Sequence, residues 1–377
     1  TAFGDRGILV VGGASSGTPV SPTLTHVSEW LDFWGTSCTS TDIAVCDIGE
    51  VPIARIDHIA IELGEAFAAS CPHRGSALVG LGADDQGHAL DDLYLFDPDG
   101  LSSGGAFTRL TGLGVSPRIG ATAFASADCR VAIVGGHSDS SGETVAAIDV
   151  LLFDAAGVAL ETSSTTLAQP NSSAALIATG NSLGEVVVAG GVDSSGNARQ
   201  SAVALRFENG SLRVCPLSDA ACNGNPAAMI CPRAGHAAAV IDRTENATRA
   251  LVIGGDLAGG CGVDKNAEVF ATAVEPPYNR FTSLAAQPVT ARTVGHTTSS
   301  TVDGEVLIVG GLDASGTPRN EVEVLQATPA LSFSTRPALS TPRAFHRVVR
   351  IGGALVLVGG FNGTSAVGGL ELYIPGF

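Results

Sequence analysis

A short aliphatic run closed by two glycines recurs along this chain. The copies are Val10-Val11-Gly12-Gly13, Ile133-Val134-Gly135-Gly136, Val188-Ala189-Gly190-Gly191, Val252-Ile253-Gly254-Gly255, Ile308-Val309-Gly310-Gly311 and Leu357-Val358-Gly359-Gly360. Val79-Gly80-Leu81-Gly82 is a degraded copy. The last glycines of the seven are 69, 54, 55, 64, 56 and 49 residues apart. A strand-like core repeated at a period near 50 constrains the fold more than any single motif, because each unit must bury its apolar faces against copies of itself.

Four short strands fit into each period. In the fifth unit they run from Arg233 to Ile241, Arg249 to Gly255, Ala267 to Thr272 and Asn279 to Leu284. Gly259-Gly260 and Pro276-Pro277 supply turn chemistry between them. Repeated four-stranded units of this kind are the blades of a β-propeller. The first strand is built from small residues, as in Gly120-Ala121-Thr122-Ala123 and His296-Thr297-Thr298-Ser299, which suits the crowded position nearest a common axis. The third strand alternates, as in Glu321-Val322-Glu323-Val324-Leu325, which suits sheets packed face to face.

Composition agrees. The chain has 377 residues, 45% of them hydrophobic and 48 of them glycine, and no apolar run reaches the 18 residues of a membrane-spanning helix. The formal charge of −17 argues against a nucleic-acid partner, which would require a basic face, and against insertion into anionic membranes. Eight cysteines with no CxxC pair point away from zinc and towards disulfides in an oxidising compartment.

The double glycine, the Arg-x-x-His opening of the first strand and a third strand such as Leu93-Tyr94-Leu95-Phe96-Asp97 resemble kelch repeats over nearly the whole chain. Departures are the degraded second copy and Asn171 where the fourth repeat should open with arginine. The resemblance implies an all-β fold: a seven-bladed kelch-type β-propeller with four-stranded antiparallel blades, formed as a single domain over residues 1–377. The blades fall at about 1–50, 51–114, 115–168, 169–217, 230–286, 287–340 and 341–377. The first and last are expected to be incomplete, the first without its innermost strand and the last without its outermost. Either residues before Thr1 or after Phe377 complete these blades, or another subunit does: a sheet left open in this way is a template for an incoming strand, so association into a homo-oligomer or filament through terminal strands is the second expectation.

On that scaffold the cysteines are expected to pair as Cys38–Cys46, Cys71–Cys129, Cys215–Cys222 and Cys231–Cys261. Arg55, Arg118, Arg233, Arg292 and Arg343 stand at the openings of first strands. They are either a ring of guanidinium groups at a channel mouth that holds an anionic ligand, or structural groups bonding carbonyls and acidic neighbours. His58, His236, His296 and His346 recur at one repeat position, which favours a structural role over a metal site. Asp193-Ser194-Ser195-Gly196 and Asp313-Ala314-Ser315-Gly316 read as aspartate-capped turns in preference to calcium loops.

No catalytic residue, metal or cofactor is assigned. The kelch enzyme galactose oxidase uses two tyrosines with copper, whereas Tyr94, Tyr278 and Tyr373 are the only tyrosines here. The expected function is that of an exported, non-catalytic binding or structural module, located outside the cell, at its surface or in the periplasm, with a protein or glycan partner. The alternative is a carbohydrate-active enzyme on a sialic-acid-mutarotase-like or galactose-oxidase-like scaffold.

Overall fold

A computed structural model describes the chain except for residues 1–2, 4–5, 19–20, 26, 33–43, 51–52, 104–106, 140–141, 162–164, 168–170, 180–183, 216–227, 244–247, 258–260, 262–266, 273–278, 302, 328–329, 352 and 375–377. The protein is all-β, with one short 3-10 turn at Pro98–Ser103 among the described residues. It divides into two compact units, residues 1–172 and 173–377, and both are built from antiparallel propeller-type sheets.

The first unit opens with a three-stranded sheet of Gly7–Val11, Val27–Asp32 and Ala44–Glu50. A hairpin of Ala14–Thr18 and Ser21–Leu24 lies between its first two strands in sequence. Two four-stranded sheets follow. The second sheet comprises Ile59–Glu62, Ala77–Gly80, Leu93–Phe96 and Phe107–Leu110; the third comprises Thr122–Ser126, Arg130–Val134, Asp149–Asp154 and Gly157–Glu161. The second unit has three four-stranded sheets that begin at Ala175–Ala178, Ala237–Arg243 and Thr297–Ser300. It closes with a three-stranded sheet of Arg347–Ile351, Ala354–Val358 and Leu370–Tyr373.

The expectation of seven four-stranded blades is therefore corrected. Six blades possess a first strand, and five of those six have all four strands among the described residues. The diglycine count overstates the blade count because Gly12-Gly13 closes a strand whose sheet has three strands and no first strand among the described residues. In the fifth sheet the strands are Ala237–Arg243, Thr248–Ile253, Ala267–Thr272 and Asn279–Ser283. Arg233–Ala234, expected to open the first strand, instead pairs separately with Asp256–Leu257.

Second strands are largely buried, and those of the second and sixth sheets pack on a neighbouring sheet on each face. Leu78 packs towards the third sheet with Val131 and Ile133, whereas Val79 packs towards the first with Leu9 and Trp30. In the second unit Ile308 joins Leu251 and Ile253, and Leu307 joins Leu355 and Leu357. A strand covered on both faces reads as a continuous aliphatic run, and this is the run that precedes each diglycine.

Within each unit the first strands of successive sheets are neighbours. Small residues allow the approach and then use it: the Thr298 hydroxyl donates to the Ala238 carbonyl of the preceding sheet at 3.0 Å.

Candidate functional site

The diglycine is the joint between successive sheets. Its second N–H donates to the backbone carbonyl at the opening of the next sheet: Gly13 to Arg55 at 2.8 Å, Gly82 to Arg118 at 2.9 Å, Gly136 to Asn171 at 2.9 Å, Gly191 to Arg233 at 2.8 Å and Gly311 to Arg343 at 2.9 Å. The first glycine has positive φ, +67° at Gly135 and +56° at Gly310. A Cβ there would run into that same incoming carbonyl, of Asn171 or Arg343. Both the conformation and the approach require glycine.

All five opening arginines are buried, none more than 3% exposed. Each grips a carboxylate at the start of the third strand of its own sheet. Arg55 makes two 2.9 Å bonds to Asp92. Arg118 meets Asp149 at 2.6 Å, Arg233 meets Glu268 at 2.8 Å, Arg292 meets Glu323 at 2.8 Å and Arg343 meets Glu371 at 2.7 Å. The same guanidinium donates to the carbonyl of the first glycine of the pair, or to Leu81 at the degraded copy: Leu81 at 3.1 Å, Gly135 at 3.1 Å, Gly254 at 2.7 Å, Gly310 at 2.9 Å and Gly359 at 3.2 Å.

The carboxylate completes the clasp by accepting backbone N–H bonds from the loop ahead of its arginine. Donors are Ser116 to Asp149, Ile230 and Cys231 to Glu268, Val289 and Thr290 to Glu323, and Ser340 to Glu371. The arginines are thus engaged inside the sheets, the structural alternative weighed from sequence, rather than presented to a ligand.

Sequence reading did not pair these arginines with their carboxylates, although the register makes the rule plain. In four of the five pairs the acidic residue lies opposite the aliphatic residue two before the first glycine: Ile133 opposite Asp149, Val252 opposite Glu268, Ile308 opposite Glu323 and Leu357 opposite Glu371. In the second sheet Tyr94 takes that position opposite Val79, and its hydroxyl donates to Asp92 at 2.9 Å. Burial opposes ionisation of Asp92, but the bonds from Arg55 and Tyr94 outweigh it and hold the carboxyl below its ordinary range. Burial, reinforced by Asp92, pushes the Tyr94 phenol up to about 12. In the fourth repeat Asn171 replaces the arginine, and Val203 sits opposite Val188 in place of the carboxylate. Arginine and acid are lost together.

The histidines sit against the preceding diglycine, close enough that a Cβ on Gly190, Gly254 or Gly310 would strike the ring of His236, His296 or His346. The Nε2 of His296 bonds the Ile253 carbonyl at 3.0 Å. Burial, followed by neighbouring arginines, pushes His236 and His346 down to about 3. Burial likewise pushes His296 down to about 4, a shift the Ile253 bond only partly offsets. The rings are neutral packing groups that fix the spacing between sheets.

Asp193 accepts from the N–H groups of Ser195 and Asn197, and Asp313 from those of Ser315 and Thr317. These are side-chain-capped turns. No group of three metal-ligating residues occurs among the described residues. Tyr94 and Tyr373 are buried third-strand residues; Tyr278 lies outside the described residues. Trp30 is buried at 1% exposure, within 5.2 Å of Phe3 and 5.5 Å of Phe96 between ring centres, so it is a core residue.

Cys71 is disulfide-bonded to Cys129, linking the second and third sheets, and Cys231 to Cys261. The pairings expected for Cys38–Cys46 and Cys215–Cys222 fall outside the residues whose side chains are described.

A groove of about 590 Å³ runs over the third and fourth strands of the fifth sheet to Ala330 and Leu331. Its lining residues include Arg249 and Arg280 but no carboxylate or histidine. Asp242 already holds Arg249. No described helix is long and apolar enough to cross a membrane. No protein-family model and no curated protein matches this chain in sequence.

Proposed function

We propose that the chain is a non-catalytic binding or structural module of kelch type, exported to an oxidising compartment and working as a subunit of an extracellular assembly. The observation that carries this reading is the use made of the chain's repeated charged groups. Five arginines and their carboxylates are consumed in clasps that close individual sheets, and three histidines are buried as neutral spacers. Catalysis by a general acid and base requires such groups to face a substrate with tuned protonation. Here these repeated groups face glycine backbone or one another.

The two disulfides support an oxidising location, since such bonds persist outside the reducing cytosol. Light scattering on the oxidised 377-residue chain tests the reading. A defined assembly, formed alone or with a co-purifying protein, is expected. A monomer at every concentration that turns over a sialic acid or galactoside would overturn it.

A further inference from the structure

One row of side chains across the fifth sheet departs from its counterparts. Arg249 stands five residues before Gly254. It lies opposite Ala271, which in turn lies opposite Arg280 on the outermost strand. Directly paired residues share one face of a sheet, so two guanidinium groups flank a single methyl group. Five residues before the first glycine of the third, fourth and sixth sheets stand Arg130, Glu185 and Glu305. There the middle of the row is a long side chain and the charges are matched. Arg130 lies opposite Leu152 and is held by Glu161 at 2.8 Å. Glu185 meets Arg206 at 3.9 Å, and Arg213, opposite Arg206, is held by Glu208 at 2.9 Å. Glu305 accepts from the Gln326 amide at 3.1 Å and meets Arg336 at 3.0 Å.

In the fifth sheet the short middle residue leaves a hollow, which is part of the groove of about 590 Å³. That volume lies within the range of small-ligand sites, about 300–1,000 Å³. Val269, Leu284 and Leu331 form an apolar part of its lining. Leu284 lies four residues beyond Arg280, about 13 Å along an extended strand. Asp242 takes Nε and Nη2 of Arg249, so that pair is neutral. Arg280 is exposed, and its side chain forms no ion pair or hydrogen bond with a described residue. The groove thus presents one uncompensated positive charge beside an apolar wall, in a chain whose net charge is −17.

We propose that this groove binds an aliphatic monoanion, a carboxylate or sulfate ester on a hydrocarbon tail. The head lies over Ala271 between Arg280 and Arg249, and the tail runs along Val269, Leu284 and Leu331. A guanidinium presents several N–H donors to an oxyanion, and one unmatched positive charge suits a singly charged head better than a phosphate dianion. A small anion without a tail would leave the apolar lining wet, and a neutral amphiphile would leave Arg280 without a counter-charge. Binding here requires no association of subunits, so the site goes beyond the assembly reading above and does not depend on it.

The probe is decanoate, titrated calorimetrically below its micellar concentration into the oxidised 377-residue chain, with decanol as the uncharged control. Saturable binding at one site is expected, with decanol at least about tenfold weaker, the worth of one charge-assisted hydrogen bond. Arg280→Gln removes the charge from an exposed side chain, and Ala271→Leu fills the hollow with the residue that the third sheet carries as Leu152. Each should weaken decanoate at least about tenfold while circular dichroism and melting temperature stay as in the unaltered chain. Arg213→Gln, on the outermost strand of the fourth sheet, should bind as the unaltered chain does. Decyl sulfate separates the two heads: whichever of it and decanoate binds more tightly names the ligand. Absence of saturable binding by both, equal binding of decanol, or full affinity in folded Arg280→Gln overturns the proposal. The light-scattering result is independent of these outcomes, so the module reading and this site can fail separately.

Discussion

A clasp removes two charges from water, so its parts are not equivalent to their sum. Cutting one partner leaves the other buried and alone, which typically costs 3–5 kcal/mol, whereas replacing both with apolar groups of similar volume is often neutral or better. Arg292 and Glu323 are 1% and 0% exposed, so Glu323→Gln should lower the unfolding free energy by about 3 kcal/mol. The double change Arg292→Met with Glu323→Leu should recover most of that loss in chemical denaturation. A double variant as weak as the single one would show that the pair also holds the chain in a way apolar packing does not reproduce. Glycine at the joint is equally exposed to test. Gly310→Ala drives a methyl group into the Arg343 carbonyl at a positive φ, and a loss of at least about 2 kcal/mol is expected from strain and clash together.

At the level of strands and joints, pH is the informative variable. His236, His296 and His346 are held neutral, with values of about 3, 4 and 3 against an ordinary 6.5. A lowered value means that the unfolded chain binds more protons than the folded one between the two values. Stability therefore falls as pH drops below about 6.5 and goes on falling to about 4, by up to ~1.4 kcal/mol per pH unit for each ring. Melting temperatures measured from pH 7 to pH 4 should decline, and His296→Gln should flatten that decline. A slope unchanged in His296→Gln would mean that this ring takes no part in the acid loss.

Strand identity was legible in the sequence because the aliphatic runs, the glycine pairs and the small-residue strands each have a steric cause repeated several times. The strand Ala267–Thr272 falls where the alternation places it. The fate of the arginines was less legible. Sequence shows which residues open a strand but not that a third-strand acid, 31 residues further on at Arg118 or 35 at Arg233, folds back to meet them. Register carries that information, and register is set by turn lengths that vary from repeat to repeat.

For the molecule as a whole, sheets that pack only on their neighbours in sequence within each unit make stability a sum of local terms, and the disulfides act on that sum from outside the sheets. Cys71–Cys129 spans 58 residues and Cys231–Cys261 spans 30. Loop-closure entropy gives each roughly 4 kcal/mol. Replacing Cys71 and Cys129 by serine should lower stability by about that much without changing far-ultraviolet circular dichroism, and reducing the intact protein should do the same. A loss below about 1 kcal/mol would mean the loops are already held by the packing beneath them.

The fourth repeat, finally, has already performed an experiment on the molecule. With Asn171 and Val203 in place of base and acid, it keeps the same four strands as its neighbours. Charge at this locus is therefore a dispensable lock, not a condition of the architecture. An engineer could neutralise the locks one repeat at a time, always two residues at once, and obtain a ladder of variants that differ in salt tolerance while sharing one backbone.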